Sequence, residues 1–399
     1  MNYSYHRAFP QSIWENVRPV QKSPGGSSNT EADLLGCFCA PGAARPGQLP
    51  AMPEQVTIYY LSGTGNALSA ARWIAENALK KGIQADLVPI DRFTRTVFPA
   101  AGGKGLIGFC YPTHGFSLPW FMLKFILKFP ARARCAVFLL NTRAGSKIGR
   151  LFLPGVSGVA QLLPALILLM KGFRIRGLFP LDLPSNWTSI HPGYNPPTVM
   201  AMFARCRSQV DAFCTSILAG RSCFRPNVFV MLPVDILLAP IAFMYFLYGR
   251  FWLAKLFMAS SECDGCGLCA EKCPTASIRL RGGRPFWRFS CESCMRCMNI
   301  CPRRAIQVSH LLAAIIGVAG SFLPLALAYK AIDPRLPEAL QVPANFIVKW
   351  GAWMAIIFLV SGLVFRLLKA RPVNRLFTLT SLTKYWRRYK APGVRPGDF

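Results

Sequence analysis

Cys263, Cys266, Cys269 and Cys273 are followed by Pro274, and the same C-x2-C-x2-C-x3-C-P pattern returns at Cys291, Cys294, Cys297, Cys301 and Pro302. Nothing else in the chain restricts its chemistry so tightly. Three closely spaced thiolates wrap three irons of one iron–sulfur cube, and the fourth cysteine reaches across to a second cube. The spacing is that of two 4Fe-4S clusters, with Cys263, Cys266, Cys269 and Cys301 expected on the first and Cys273, Cys291, Cys294 and Cys297 on the second. Zinc ordinarily takes its ligands as two separated pairs, which this clustering does not match. Disulfides are the other reading of a cysteine-rich chain. Here eight of the 15 cysteines fall in two tight clusters and the rest scatter, which is metal-site usage in a reducing compartment.

Over about residues 259–309 the chain resembles the bacterial two-cluster ferredoxins. The resemblance implies a small α+β domain that passes electrons one at a time, since every thiolate is a ligand and no iron is left open to substrate. In this stretch four acids (Glu262, Asp264, Glu271, Glu292) stand against eight bases (Lys272, Arg279, Arg281, Arg284, Arg288, Arg296, Arg303, Arg304). That excess offsets the anionic cubes and is expected to raise their potential.

Upstream, residues 53–220 alternate strand-like segments (55–61, 84–90, 105–111, 135–140, 173–181) with helical ones near 66–81, 119–128, 157–171 and 197–219. Such alternation predicts an α/β fold, a doubly wound parallel sheet covered by helices on both faces. Ser62, Gly63, Thr64, Gly65 and Asn66 lie between the first strand and the first helix, where free backbone N–H groups make a seat for a phosphate dianion. Short turns of this composition also serve merely as connectors. The loops 111–119 (YPTHGFSLP) and 141–147 (NTRAGSK) follow the third and fourth strands, at the carboxyl ends where ligands bind in open sheets. The set looks like the flavodoxin family over about residues 54–218, with strand order 2-1-3-4-5. The resemblance implies FMN, its phosphate on Ser62, Thr64, Gly65, Asn66 and Ala67, its ring between Thr113, His114, Gly115 and Phe116 on one side and Asn141, Thr142, Ala144 and Gly145 on the other. Ala67 stands where flavodoxins commonly place Thr, which removes one hydroxyl from that seat.

The chain is also greasy and basic: 52% hydrophobic, 16% charged, mean hydropathy +0.32 and net charge +29. Membrane contact is the expectation. The uncharged run 151–170 carries Pro154 and Pro164 and sits where the α/β pattern needs a crossover helix, so it reads as a helix with an apolar outer face. Residues 221–258, with Asp235, Arg250 and Lys255 and with Pro233 and Pro240 as interruptions, read as an interfacial or re-entrant linker. The runs 311–329 and 346–368 predict a transmembrane hairpin within 310–369. From Arg366 onward nine Lys or Arg face one acid, Asp398, so 370–399 reads as a basic cytoplasmic tail. This distribution points to lipid, and no motif of the nucleic-acid class accompanies the charge. Residues 1–52, rich in Gly, Pro and Ser, read as a disordered leader.

A flavodoxin-like domain followed by a two-cluster ferredoxin region resembles the flavodoxin–ferredoxin fusion proteins of bacteria and archaea, over about 53–309. That resemblance implies electron transfer between FMN and two 4Fe-4S clusters, with a redox protein as donor or acceptor; the hairpin and basic tail are additions to that plan, and the positive-inside rule puts both domains on the cytoplasmic side of a membrane. Two alternatives stand beside it: an oxidoreductase acting on a quinone or another lipid-soluble substrate, and a flavin-free iron–sulfur sensor or adaptor. No residue arrangement points to hydrolytic or nucleophilic catalysis.

Overall fold

The computed structural model describes residues 52–91, 105–131, 135–331 and 337–399. The expected leader falls outside them, apart from Met52.

Strands β1 (Gln55–Tyr60), β2 (Gln84–Pro89), β3 (Gly105–Pro112), β4 (Ala136–Ile148), β6 (Arg174–Pro184) and β7 (Cys223–Phe224) form a parallel sheet in the order β2-β1-β3-β4-β6-β7; β5 (Leu151–Leu153) pairs antiparallel with β4. The period-two alternation of each strand explains why both faces are covered. Val56, Ile58, Leu106, Phe138 and Leu140 point into one core, under α1 (Asn66–Lys80) and α4 (Pro196–Ile217). Tyr59, Ile107, Phe109, Val137 and Leu139 point into the other, under α2 (Trp120–Lys128) and α3 (Leu162–Met170).

The run 151–170 divides into β5, a short turn and α3, whose nine residues span about 14 Å, half the thickness of a hydrocarbon core. Its outer face is apolar, with Leu166, Leu169 and Met170 exposed. Residues 226–255 form short helical pieces in which Pro226, Pro233 and Pro240 each open a helix. Asp235, Arg250 and Lys255 all find partners there. Asp235 accepts from Gly158 N at 2.7 Å, Arg250 lies 4.7 Å over the Trp120 ring, and Lys255 donates to Trp287 O at 2.7 Å. The segment is therefore fastened by its polar residues, while Phe229, Val230, Leu237, Ile241 and Phe243 face outward.

The cysteine region builds two small antiparallel sheets, Phe257–Ala259 with Ile306–Val308 and Ile278–Arg281 with Arg284–Trp287. Two long helices follow, α5 (His310–Ala331) and α6 (Glu338–Leu367). Among the described residues one stretch, Gln341–Leu367, is long and apolar enough to cross a membrane by length and composition; His310–Gly320 is apolar but shorter. The two helices approach closely where a Cβ on Gly320 would collide with the Trp353 indole.

Two expectations need correction. Residues 141–147 are not a loop: β4 continues to Ile148, because β6 runs alongside it through Gly145↔Pro184 and Arg143 forks onto Asp182 at 2.6 and 3.2 Å. Nor does the C-terminal stretch trail away from the domains. It folds back across the carboxyl end of the sheet, burying Tyr389, Ala391 and Val394 in the same core as α1.

Candidate iron–sulfur centres and the filled loop beside them

The two motifs adopt the same backbone at an offset of 28 residues. Left-handed φ occurs at Gly265 and Ser293 (76° and 49°), at Gly267 and Met295 (76° and 63°), and at Ala276 and Arg304 (52° and 51°). Each left-handed residue turns the chain so that the neighbouring thiols point to a common interior. Cys263, Cys266, Cys269 and Cys301 line one void beneath Leu280 and Ile306. Cys269 has Cys263, Cys301 and Cys266 as its charged neighbours, whereas Cys297 has Cys291, Cys294 and Cys273. The eight thiols therefore divide into two fours, each combining three cysteines of one motif with the last of the other. Among the described residues no three Cys, His or carboxylate side chains converge on a single-ion site. The donor sets suit a cube, around which ligands are spread.

The thiols are supported from outside. Ser277 N donates to Cys273 Sγ at 3.3 Å and Ser293 N to Cys291 Sγ at 3.4 Å. Such N–H donors stabilise the more negative state of a cluster. Two buried cations add to them. Arg296 stands beside Cys294 and Cys273; burial pushes its guanidinium pKa down and those thiols oppose the shift. Lys255 stands beside Cys291 and is pushed down to about 8, chiefly by burial. Glu292, next to Cys291, accepts from Phe121 N at 2.9 Å and Trp120 N at 3.1 Å, so it caps α2 of the sheet domain. Its pKa is raised to about 7 by burial, against the pull of Arg250 and those two N–H groups.

Arg296 also joins the centres to the expected phosphate loop. Its guanidinium donates to Ser62 O, to Gly63 O at 3.3 Å and to Lys272 O at 2.8 Å. A Cβ on Gly63 would collide with Cys294 O, so only glycine lets the second motif sit this close. The loop's other side is taken by the chain's end. Ala391 N donates to Thr64 O at 2.8 Å and Tyr389 OH to Asn66 Oδ1 at 2.5 Å. A Cβ on Gly65 would meet Ala391 Cβ at 2.7 Å and Val394 Cγ2 at 2.9 Å. Asp398 pairs with Arg72 of α1 at 3.0 Å, and the Phe399 ring lies 4.3 Å under Arg296.

The residues expected around a flavin ring are engaged as well. Gly115 packs against the Tyr245 ring, Phe116 O accepts from Val159 N at 2.9 Å, and Asn141 Nδ2 donates to Thr113 Oγ1 at 2.8 Å. Thr142, Ala144 and Gly145 pair along β6. Ser62, Thr64, Asn66, Ala67, His114, Asn141 and Thr142 are all buried by protein alone. In this arrangement the loops do not fit FMN, because the phosphate seat is occupied by the chain's own end and Tyr245 packs against Gly115 of the loop expected beside the ring. The motif spacing revealed the cysteines; Arg296, Tyr245 and the closing segment 389–399 carried no local signal, since their roles depend on contacts across more than 100 residues.

A model of the 4Fe-4S dicluster domain matches residues 262–306, which contain all eight motif cysteines. Over 70 residues the chain is 29% identical to an uncharacterized protein of Methanocaldococcus jannaschii, a stretch that is 18% of this chain and 27% of that one. The match thus spans about a quarter of that relative's length. In structure the chain is similar to a flavodoxin from the domain Archaea (13% identity, TM-score 0.25, covering 40% of this chain and 99% of that one). It is similar also to the two-electron reduced flavodoxin of Megasphaera elsdenii (15% identity, TM-score 0.25, again 40% and 99%).

Proposed function

We propose that this protein is a membrane-associated one-electron carrier that works through two 4Fe-4S clusters and holds no flavin. The observation that carries this reading is the division of the eight thiols into two fours, against the carboxyl end of a sheet whose expected flavin seat is filled. When bound, the clusters supply one-electron oxidation and reduction. The chain's own residues position them and set their electrostatics: Ser277 and Ser293 N–H groups and the buried Arg296 and Lys255 favour the reduced, more negative state. The sheet domain then acts as a rigid body that clamps the second centre through Glu292, Gly63 and Arg296. A redox protein on the cytoplasmic side is the proposed partner, with the Gln341–Leu367 stretch as anchor.

A second reading, the flavin–cluster relay, is favoured by one observation. Thr64 Oγ1, His114 Nδ1, Ser117 Oγ and Asn141 Oδ1 are buried without a hydrogen-bond partner, all at the end of the sheet where a flavin binds. In that reading the closing segment 389–399 swings out and FMN takes its place.

Iron, acid-labile sulfide and flavin per chain, measured on anaerobically purified protein in detergent and followed by reductive titration under EPR, decide between the two. About eight irons without flavin supports the carrier, and about eight irons with one FMN establishes the relay. About four irons or fewer sinks the two-cluster reading.

A further inference from the structure

Beside the second centre, between the Ile278–Trp287 hairpin and the last turns of α6, lies a groove of about 870 Å³. Its walls are Phe286, Phe289, Phe358, Leu359, Leu363 and Phe365. Phe358, Leu359 and Leu363 belong to the Gln341–Leu367 stretch, which among the described residues is the one long and apolar enough to cross a membrane, and they are exposed on its outer side. A hydrocarbon chain lying along that helix therefore continues into the groove along a largely apolar wall.

The groove is also cationic. Lys255, Arg281, Arg288, Arg366 and Lys369 line it, and no carboxylate does. Among the described residues none of the five forms an ion pair with an acid. Lys255 is buried and its ammonium has one acceptor, Trp287 O, while it faces the Phe286 and Phe289 rings at 4.5 and 4.3 Å. Arg288 Nε is buried without a partner. Five like charges around one void repel each other and favour an anion among them. Arg366 and Lys369 close the apolar stretch, at the level where headgroups lie.

We propose that this groove is a binding site for an anionic phospholipid, its phosphate among the five cations and one acyl chain along Phe358 and Leu363. A neutral carrier such as a quinone would use the apolar wall but leave the five charges uncompensated. The proposal stands on charge and shape, independently of the electron-transfer reading.

The test uses the full chain in detergent with two lipids, phosphatidylglycerol and phosphatidylcholine, read by native mass spectrometry and by the unfolding temperature. Phosphatidylglycerol is expected to stay bound and raise the unfolding temperature, and phosphatidylcholine to do neither. The exposed groove cations are replaced together as R281Q/R366Q/K369Q, with R375Q/K384Q/K390Q as a control of equal charge change outside the groove. The groove variant should lose at least tenfold in phosphatidylglycerol affinity while the control keeps it. Equal response to both lipids, or equal loss in both variants, overturns the site and leaves only diffuse attraction to a basic surface. Displacement of the lipid by a quinone that reoxidises reduced protein would also overturn it, assigning the groove to a neutral carrier.

Discussion

At the scale of single residues, the duplicated motif is alike in backbone but not in side chain. Gly265 and Ser293 occupy equivalent left-handed positions, and a left-handed non-glycine costs on the order of 1–2 kcal/mol. Ser293→Gly should therefore be neutral to stabilising by about 1 kcal/mol, read as the denaturation midpoint of cluster-loaded protein. Gly265→Ser should be worse than the strain alone, because its Cβ would sit 2.9 Å from Gly283 O. If both exchanges cost the same, the left-handed positions are not what distinguishes the copies. His114 gives a second prediction. Burial depresses its pKa from 6.5 to about 4, so between those values the unfolded chain binds more protons than the folded one. Stability is then fully present above about pH 6.5 and is lost as pH falls toward 4, by up to about 3 kcal/mol. Melting curves between pH 7 and 4.5 should show this slope in the native protein and a flatter one in His114→Gln; equal slopes would assign the acid sensitivity to other groups.

At the scale of elements, the strands were legible because each alternates between two cores. Val56 and Ile58 against Tyr59, or Ile107 and Phe109 against Leu106 and Cys110, are patterns of period two that no helix shares. The apolar run at 151–170 was legible as a crossover helix for the same reason that it failed as a span: Pro154, Gly155 and Gly158 interrupt it. The extension of β4 through Gly145 was not legible, since Asn, Thr, Gly and Ser read as a loop unless a partner strand is known. The closing segment 389–399 was hidden more completely. Its buried residues, Tyr389, Ala391 and Val394, follow no period, and their partners Thr64 and Asn66 lie more than 300 residues away. Burying a large apolar side chain contributes about 1.5–3 kcal/mol. Ending the chain after Arg388 should therefore lower the unfolding temperature and expose the amides of residues 64–69 to hydrogen exchange, with the cysteine region little changed. Unaltered protection of that loop would show that the segment rests on it without holding it.

At the scale of the whole molecule, the two centres differ in depth, and depth sets their roles. Cys266 is exposed and Cys263, Cys269 and Cys301 are half-buried, around a void at the surface. Cys273 and Cys297 are buried, and the remaining thiols of that set lie under Gly63, Glu292 and Lys255. The first centre is thus the more reachable of the two, which in the proposed carrier makes it the port for a redox protein, and the second lies inward, nearest the sheet and the Gln341–Leu367 helix. Arg303 and Asp264 at the rim, 3.3 Å apart and exposed, are free to exchange for charges of a partner at little cost. The difference in depth is measurable without knowing that partner. Under a mild iron chelator and limited oxygen, iron should fall from about eight to about four per chain in a fast phase and then slowly, and the EPR features of coupling between two reduced clusters should vanish with the fast phase. Gly63→Ala, which pushes the second motif off the sheet domain, should speed the slow phase and leave the fast one unchanged. A single phase for all the iron, in the native protein and the variant alike, would mean that the centres are equally reachable and that the sheet domain does not shield the inner one.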